Sequence, residues 1–238
     1  MSFRAMSFRA KVTAIAITAA ACMMLAPAAM ASSGPVQVTG KQLKSALLPT
    51  TDFAAGYGVI YAANSGRTLE HGSVFHLASM SCKVFWPAVG VVQGFGETAF
   101  ATDLIGAKQG TIPAVTEIFS QTVYQFASTH TASTFLSQLN AKYRSCRSVT
   151  ASDTKGGTLR WAVHSQAKQR VGGHQAIQVV EDLSDSKVPG PPSVIYLLWT
   201  VNGADIYLIS TQPLSVTKPQ PTQSSLTLKL IARVTKLR

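Results

Sequence analysis

Acidic residues are scarce in this chain: ten Asp and Glu stand against 21 Lys and Arg in 238 residues, a formal charge of +11. Charged residues make up only 13 %, which excludes a charge-solvated disordered chain, and the 46 % apolar content is ample for a core. Cysteine is equally sparse at three, which excludes a small disulfide-dense scaffold. Catalytic strings are missing as well: there is no HExxH pair and no GxSxG elbow, nor any Asn-x-Ser/Thr glycosylation sequon. These gaps leave no catalytic residues to nominate and no metal set.

What is present begins with an export signal. Arg4, Arg9 and Lys11 form a positive start with no acid, and Val12 to Leu25 is an apolar stretch too short to span a bilayer. Pro27 breaks it, and Ala29-Met30-Ala31 puts small residues at the −3 and −1 positions before Ser32. Residues 1–31 are therefore predicted to be a signal peptide cleaved after Ala31, followed by an exposed lead-in over 32–40. Ala19-Ala20-Ala21-Cys22 offers an alternative, a loose lipobox in which Cys22 is lipidated and anchors the protein to the membrane. Met23-Met24-Leu25 continues the apolar run where a lipoprotein turns polar, which favours Ala31. The start MSFRA is repeated at Met6 to Ala10 and carries no structural meaning.

Cleavage removes three positive charges and no acid, leaving a formal charge of about +8 on about 207 residues. The bases are scattered, with Lys142, Arg144 and Arg147 the densest group, and no aromatics interleave with them. That pattern argues against a nucleic-acid partner and for attraction to an anionic cell envelope. Cleavage also takes Cys22, so Cys82 and Cys146 remain as an even pair in an oxidising compartment. They are expected to join, with two free thiols the alternative. Closing a loop of about 65 residues stabilises by roughly 4 kcal/mol in the chain-entropy view.

The pattern along the chain predicts an α+β fold in a single domain, an antiparallel sheet packed with helices. Helices are predicted at Lys41 to Leu48, from the spacing of Leu43, Ala46 and Leu47, and at Thr129 or Thr131 to Arg147. Another is expected over Ser224 to Leu237, and a short one around Cys82. Strands are predicted at 59–62, 117–127, 158–165, 175–182, 193–201 and 204–211, with a polar turn at Asn64-Ser65-Gly66. Asn202-Gly203 is expected to be the two-residue hairpin loop between the last two strands.

Chemistry-bearing motifs resolve to bland readings. The five histidines are dispersed, so no metal is expected. Gly94-Phe95-Gly96-Glu97-Thr98-Ala99 matches GxGxxA, but no helical segment follows and no cofactor is expected. Glu181, Asp182 and Asp185 sit beside Ser, Pro and Gly, which reads as a solvated hairpin loop. Glycosidase-type paired carboxylates are geometrically possible there, and Glu97, Asp103 and Glu117 are the residues whose substitution would test an envelope hydrolase assembled by folding.

The order of features resembles a known family. Leu47-Leu48-Pro49 leads to Phe53-x-x-Gly56-Tyr57, Cys82 follows a polar stretch, and a strand feeds the helix FLSQLNAKYRSC at Phe135 to Cys146. A late apolar hairpin and a terminal helix complete it, over roughly Lys41 to Leu237. This resembles the PknH-like sensor domains of actinobacteria, here spanning 41–238. The resemblance implies an exported or envelope-bound sensor, non-enzymatic, whose sheet and helices surround a groove for a small-molecule or envelope-derived ligand. It matches Cys82 and Cys146 to the family disulfide, while a second pair seen in some relatives is absent. No kinase or transmembrane segment accompanies the domain, so a membrane or wall protein is the expected partner that passes the message on. Trp161, Tyr196, Trp199 and Tyr207 are the candidate groove residues. The alternatives are the envelope hydrolase and a structural wall protein held by charge.

Overall fold

The computed structural model describes residues 36–53, 56–66, 75–77, 96–107, 117–153, 157–187, 190–213 and 222–238. The expected signal peptide, Cys22, Cys82, His71 and the short helix expected around Cys82 lie outside them.

The described strands make one nine-stranded sheet, antiparallel throughout, with three helices: an α+β fold. In chain order the elements are α1 (Gly40–Ala46), β1 (Tyr57–Gly66), β2 (Phe75–Leu77), β3 (Glu97–Ala107), β4 (Glu117–Phe126) and α2 (Thr129–Ser145). Then follow β5 (Ser148–Asp153), β6 (Thr158–Val171), β7 (His174–Asp185), β8 (Ser193–Asn202), β9 (Asp205–Pro213) and α3 (Gln223–Thr235). The spatial order is β1-β3-β4-β9-β8-β7-β6-β5-β2, so the last hairpin, β8–β9, is inserted at the centre.

Period-two alternation sorts side chains between two cores. Ile195, Leu197, Trp199 and Val201 of β8 and Ile206 and Leu208 of β9 meet Ala132, Phe135, Leu136, Leu139 and Tyr143 of α2. Tyr207 and Ile209 project from the opposite face and pack with Leu43 and Ala46 of α1 and Leu226, Leu230, Ile231 and Val234 of α3. Each helix carries its apolar stripe because those residues recur at three- and four-residue intervals. Each also starts on a side-chain cap: Thr39 for α1, in a reciprocal box with Gln42, Ser128 for α2 and Thr222 for α3.

Several expectations need correction. Residues 36–40, read as an exposed lead-in, are tied to the body: the Val38 amide donates to Gln125 Oε1 at 2.9 Å, and Val38 is buried. The polar turn expected at Asn64-Ser65-Gly66 is the end of β1, held by pairing with Thr102, Ala101 and Phe100 of β3. The last hairpin turns one residue later than expected, because Asn202 pairs with Asp205 and the loop is Gly203-Ala204. Only Gly203 has positive φ there, at 59°, so a glycine at the first central position suffices. β5 was not anticipated at all, and β6 runs on to Val171. The Gly-rich string near Gly96 leads into strand β3, not a helix.

Candidate functional site

The longest strand of the sheet builds the site. β6 alternates regularly from Thr158 to Val163, which faces Glu181 of β7. Ser165 then faces Val180, so His164 is an extra, bulged residue. Unbroken alternation from Trp161 would have turned Ser165, Ala167 and Gln169 toward α2. The bulge instead turns Gln166, Lys168 and Arg170 that way, opposite Val179, Ile177 and Gln175. Gly172 and Gly173, with φ of 56° and 87°, then close the hairpin in two residues.

A groove of about 470 Å³ lies between this hairpin and α2. Ser133, Ser137 and Asn140 of α2 form one wall, Lys168, Arg170 and Gln175 the other, and Leu136 and Ile177 lie between them. Ser133 and Ser137 are exposed and one helical turn apart. Two contacts fix the walls. Gln166 Nε2 donates to the carbonyl oxygen of Asn140 at 2.8 Å and to its Oδ1 at 2.7 Å, pinning α2 to β6. Arg170 Nη1 donates to the Gly173 carbonyl at 2.7 Å, which orients its guanidinium beside the hairpin turn. The site is small, polar and cationic.

Behind this groove the sheet face beneath α2 holds an unexpected carboxyl group. Glu181, near the end of the strand predicted over 175–182 and read as solvated, lies within β7 and is 0 % exposed. Burial pushes its carboxyl up to about 8, and the adjacent Tyr143 hydroxyl opposes the rise. Burial, followed by the nearby Glu181 charge, also raises Tyr143 far above the ordinary phenol range. Trp199 stacks on Tyr124 at 6.3 Å in the same layer and meets Phe135 at 6.2 Å.

The four aromatic candidates do not share a groove. Trp161 and Trp199 are buried beneath α2, while Tyr207 is buried on the opposite face, its hydroxyl donating to Asp205 Oδ2 at 3.1 Å. Tyr196 is half-buried on that second face, and its carbonyl accepts from Gln223 Nε2 at 2.8 Å. Cys146 closes α2 and is 5 % exposed. The carboxylates a hydrolase would use are also dispersed. Glu97 and Asp103 are both buried in β3, about 20 Å apart along the strand, well beyond the roughly 5–9.5 Å of a glycosidase pair. Glu117 pairs with Pro213 at the start of β4. Asp103 instead accepts from Gln121 Nε2 at 3.2 Å, and burial lifts its carboxyl to about 6 against that bond. Among the described residues, no three His, Cys, Asp or Glu side chains converge as a metal site would require.

Sequence reasoning missed Lys168, Arg170, Ser133 and Ser137. The Gly172-Gly173 pair after a polar alternating run was a legible hairpin signal. The bulge that decides which side chains face the helix had none.

The PknH-like extracellular domain family matches residues 38–190. The chain belongs to this family. The extracellular domain of PknH from Mycobacterium tuberculosis shares the fold at 14 % identity, with a TM-score of 0.62 over 84 % of this chain and 97 % of that one. The Rv0999 orthologue from Mycobacterium smegmatis aligns over 81 % of this chain and 95 % of its own, with 10 % identity and a TM-score of 0.39. Among curated proteins no sequence matches. The matched span of this PknH-like domain ends before β8. β9 nevertheless separates β4 from β8 at the centre of the sheet, so the matched residues complete the fold only with the hairpin that follows. Membership in a family of extracellular domains agrees with the exported character read from the N-terminus.

Proposed function

We propose that this PknH-like domain is an exported, non-catalytic sensor, and that the groove between α2 and the β6–β7 hairpin holds its ligand. The observation that carries the reading is the groove's lining: hydroxyl, amide and cationic groups over an apolar base, with no carboxylate or histidine among them. Such a lining binds and orients, and it holds neither the carboxylate nor the histidine that general-base catalysis most often uses. Fixed walls suit recognition, since the Gln166–Asn140 bonds hold the helix against the strand before any ligand arrives. The reading includes release from the signal at Ala31 and a bridge between Cys146 and Cys82. It also includes a membrane or wall protein that receives the signal.

The test is native mass spectrometry and thermal melting of the purified protein after incubation with fractionated envelope extract. A retained small-molecule adduct and a raised melting temperature are expected, and both should disappear in Ser137→Trp, which fills the groove from its exposed wall. An adduct that forms equally on that variant, or no adduct from any fraction, overturns the assignment. The intact mass from the same experiment distinguishes a start at Ser32 from a lipidated Cys22.

A further inference from the structure

We infer that the groove recognises an anionic group, a phosphate, sulfate or carboxylate carried on a small polar molecule; this rests on the reading of the groove as the ligand site. The lining contributes two cations and no acid. Neither Lys168 nor Arg170 has an ion-pair partner among the described residues. Lys168 is exposed, and Arg170 spends one of its five N–H donors on the Gly173 carbonyl, which leaves a fixed fork beside the groove.

Strand alternation puts the two cations on one face, and the bulge makes that the face toward α2. They are two residues apart on β6, about 7 Å, and the bulge at His164 brings both to the α2 side. Without it Ala167 and Gln169 would hold the α2-facing positions that Lys168 and Arg170 now take; Gln169 touches the groove as it stands. Across the groove stand the Ser133 and Ser137 hydroxyls, further donors for the oxygens of an anion. A neutral saccharide could use the serine and glutamine side chains, but it would bring no counter-charge to the two cations. A nucleic acid calls for stacking surfaces, and no aromatic residue lines the groove.

The inference is tested by amide NMR titration of the purified protein with inorganic phosphate, sulfate, citrate and a neutral methyl glucoside. Saturable shifts confined to residues around Ser137, Lys168 and Arg170 are expected with at least one anion. Phosphate against citrate separates a phosphate-bearing from a carboxylate-bearing ligand. Lys168→Gln and Arg170→Gln should each weaken binding by about tenfold, with Lys168→Arg close to the parent. Melting curves confirm that each variant is folded. If the glucoside saturates the same amides and the charge variants do not matter, the groove stands as the site and the anion falls. Non-saturating shifts at lysines and arginines all over the surface likewise overturn the anion. If no probe moves a groove amide, both readings fall together.

Discussion

Lys168 stands directly across the β6–β7 ladder from Ile177, and it faces α2 because one residue, His164, is bulged out of the strand before it. A single unpaired residue thus decides whether this face of the hairpin is cationic. The same strand supplies, before the bulge, Trp161 and Val163 to the core beneath α2. One strand therefore builds a core at one end and a groove wall at the other.

The buried Glu181 carboxyl predicts an alkaline loss of stability. Its folded-state value of about 8 lies above the ordinary 4.5, so between those limits the folded chain holds a proton that the unfolded chain has released. Stability is full below about 4.5, falls by up to about 1.4 kcal/mol per pH unit as pH rises, and levels off above 8. Asp103 acts with the same sign but only up to about 6. Urea unfolding between pH 6 and 8 isolates Glu181. Glu181→Gln should flatten the slope in that window and be the more stable protein at pH 9; an unchanged slope would refute the assignment.

Arg238 should be worth far more than a surface arginine. Its Nη2 meets Asp205 Oδ1 at 2.7 Å, and Asp205 is fully buried while the arginine side chain is 21 % exposed. Its Nε also donates to the Val36 carbonyl, clamping the two ends of the described body together. Arg238→Met leaves a buried carboxylate with the Tyr207 hydroxyl beside it, at an expected cost of roughly 2–3 kcal/mol, below the fully buried case because of the exposure. Asp205→Asn in the same background should recover part of that loss. A double-mutant cycle in denaturant measures the coupling, and additivity within about 0.3 kcal/mol would sink the claim.

Gly40→Ala should destabilise although alanine favours helix. A Cβ on Gly40, at the start of α1, would lie 2.6 Å from the Gly66 carbonyl oxygen and 2.7 Å from its nitrogen, and backbone cannot step aside cheaply. The expected loss is about 1–3 kcal/mol, outweighing the roughly 1 kcal/mol that alanine gains by propensity. A melting temperature equal to or above the parent's would show that α1 moves freely on the sheet.

The legible part of the fold lay where one residue's neighbours in sequence are also its neighbours in space. α2 was readable from Phe135, Leu136, Leu139 and Tyr143, which return to one face every turn. The β8–β9 hairpin was readable from its glycine, although the loop itself is shifted by one residue. β5, Ser148–Asp153, escaped because Val149 alone among its small residues is strongly apolar, and its conformation comes from pairing with β6. Glu181 escaped for a related reason: beside Asp182, Ser184 and Asp185 it looks solvated, and only the packing of α2 over β7 takes its carboxyl from water.

The export reading, the α+β class and the family resemblance could all be drawn without a structure, because charge balance, hydrophobic period and motif order are properties of the chain alone. The tertiary structure decided which side chains meet. The bulge at His164 trades one ladder position for a cationic groove wall, and the closure of α2 over the sheet buries Trp161, Trp199 and Glu181 together. The burial depends on contacts between distant segments, and the bulge on a one-residue slip inside a hairpin ladder that no alternation pattern in β6 marks.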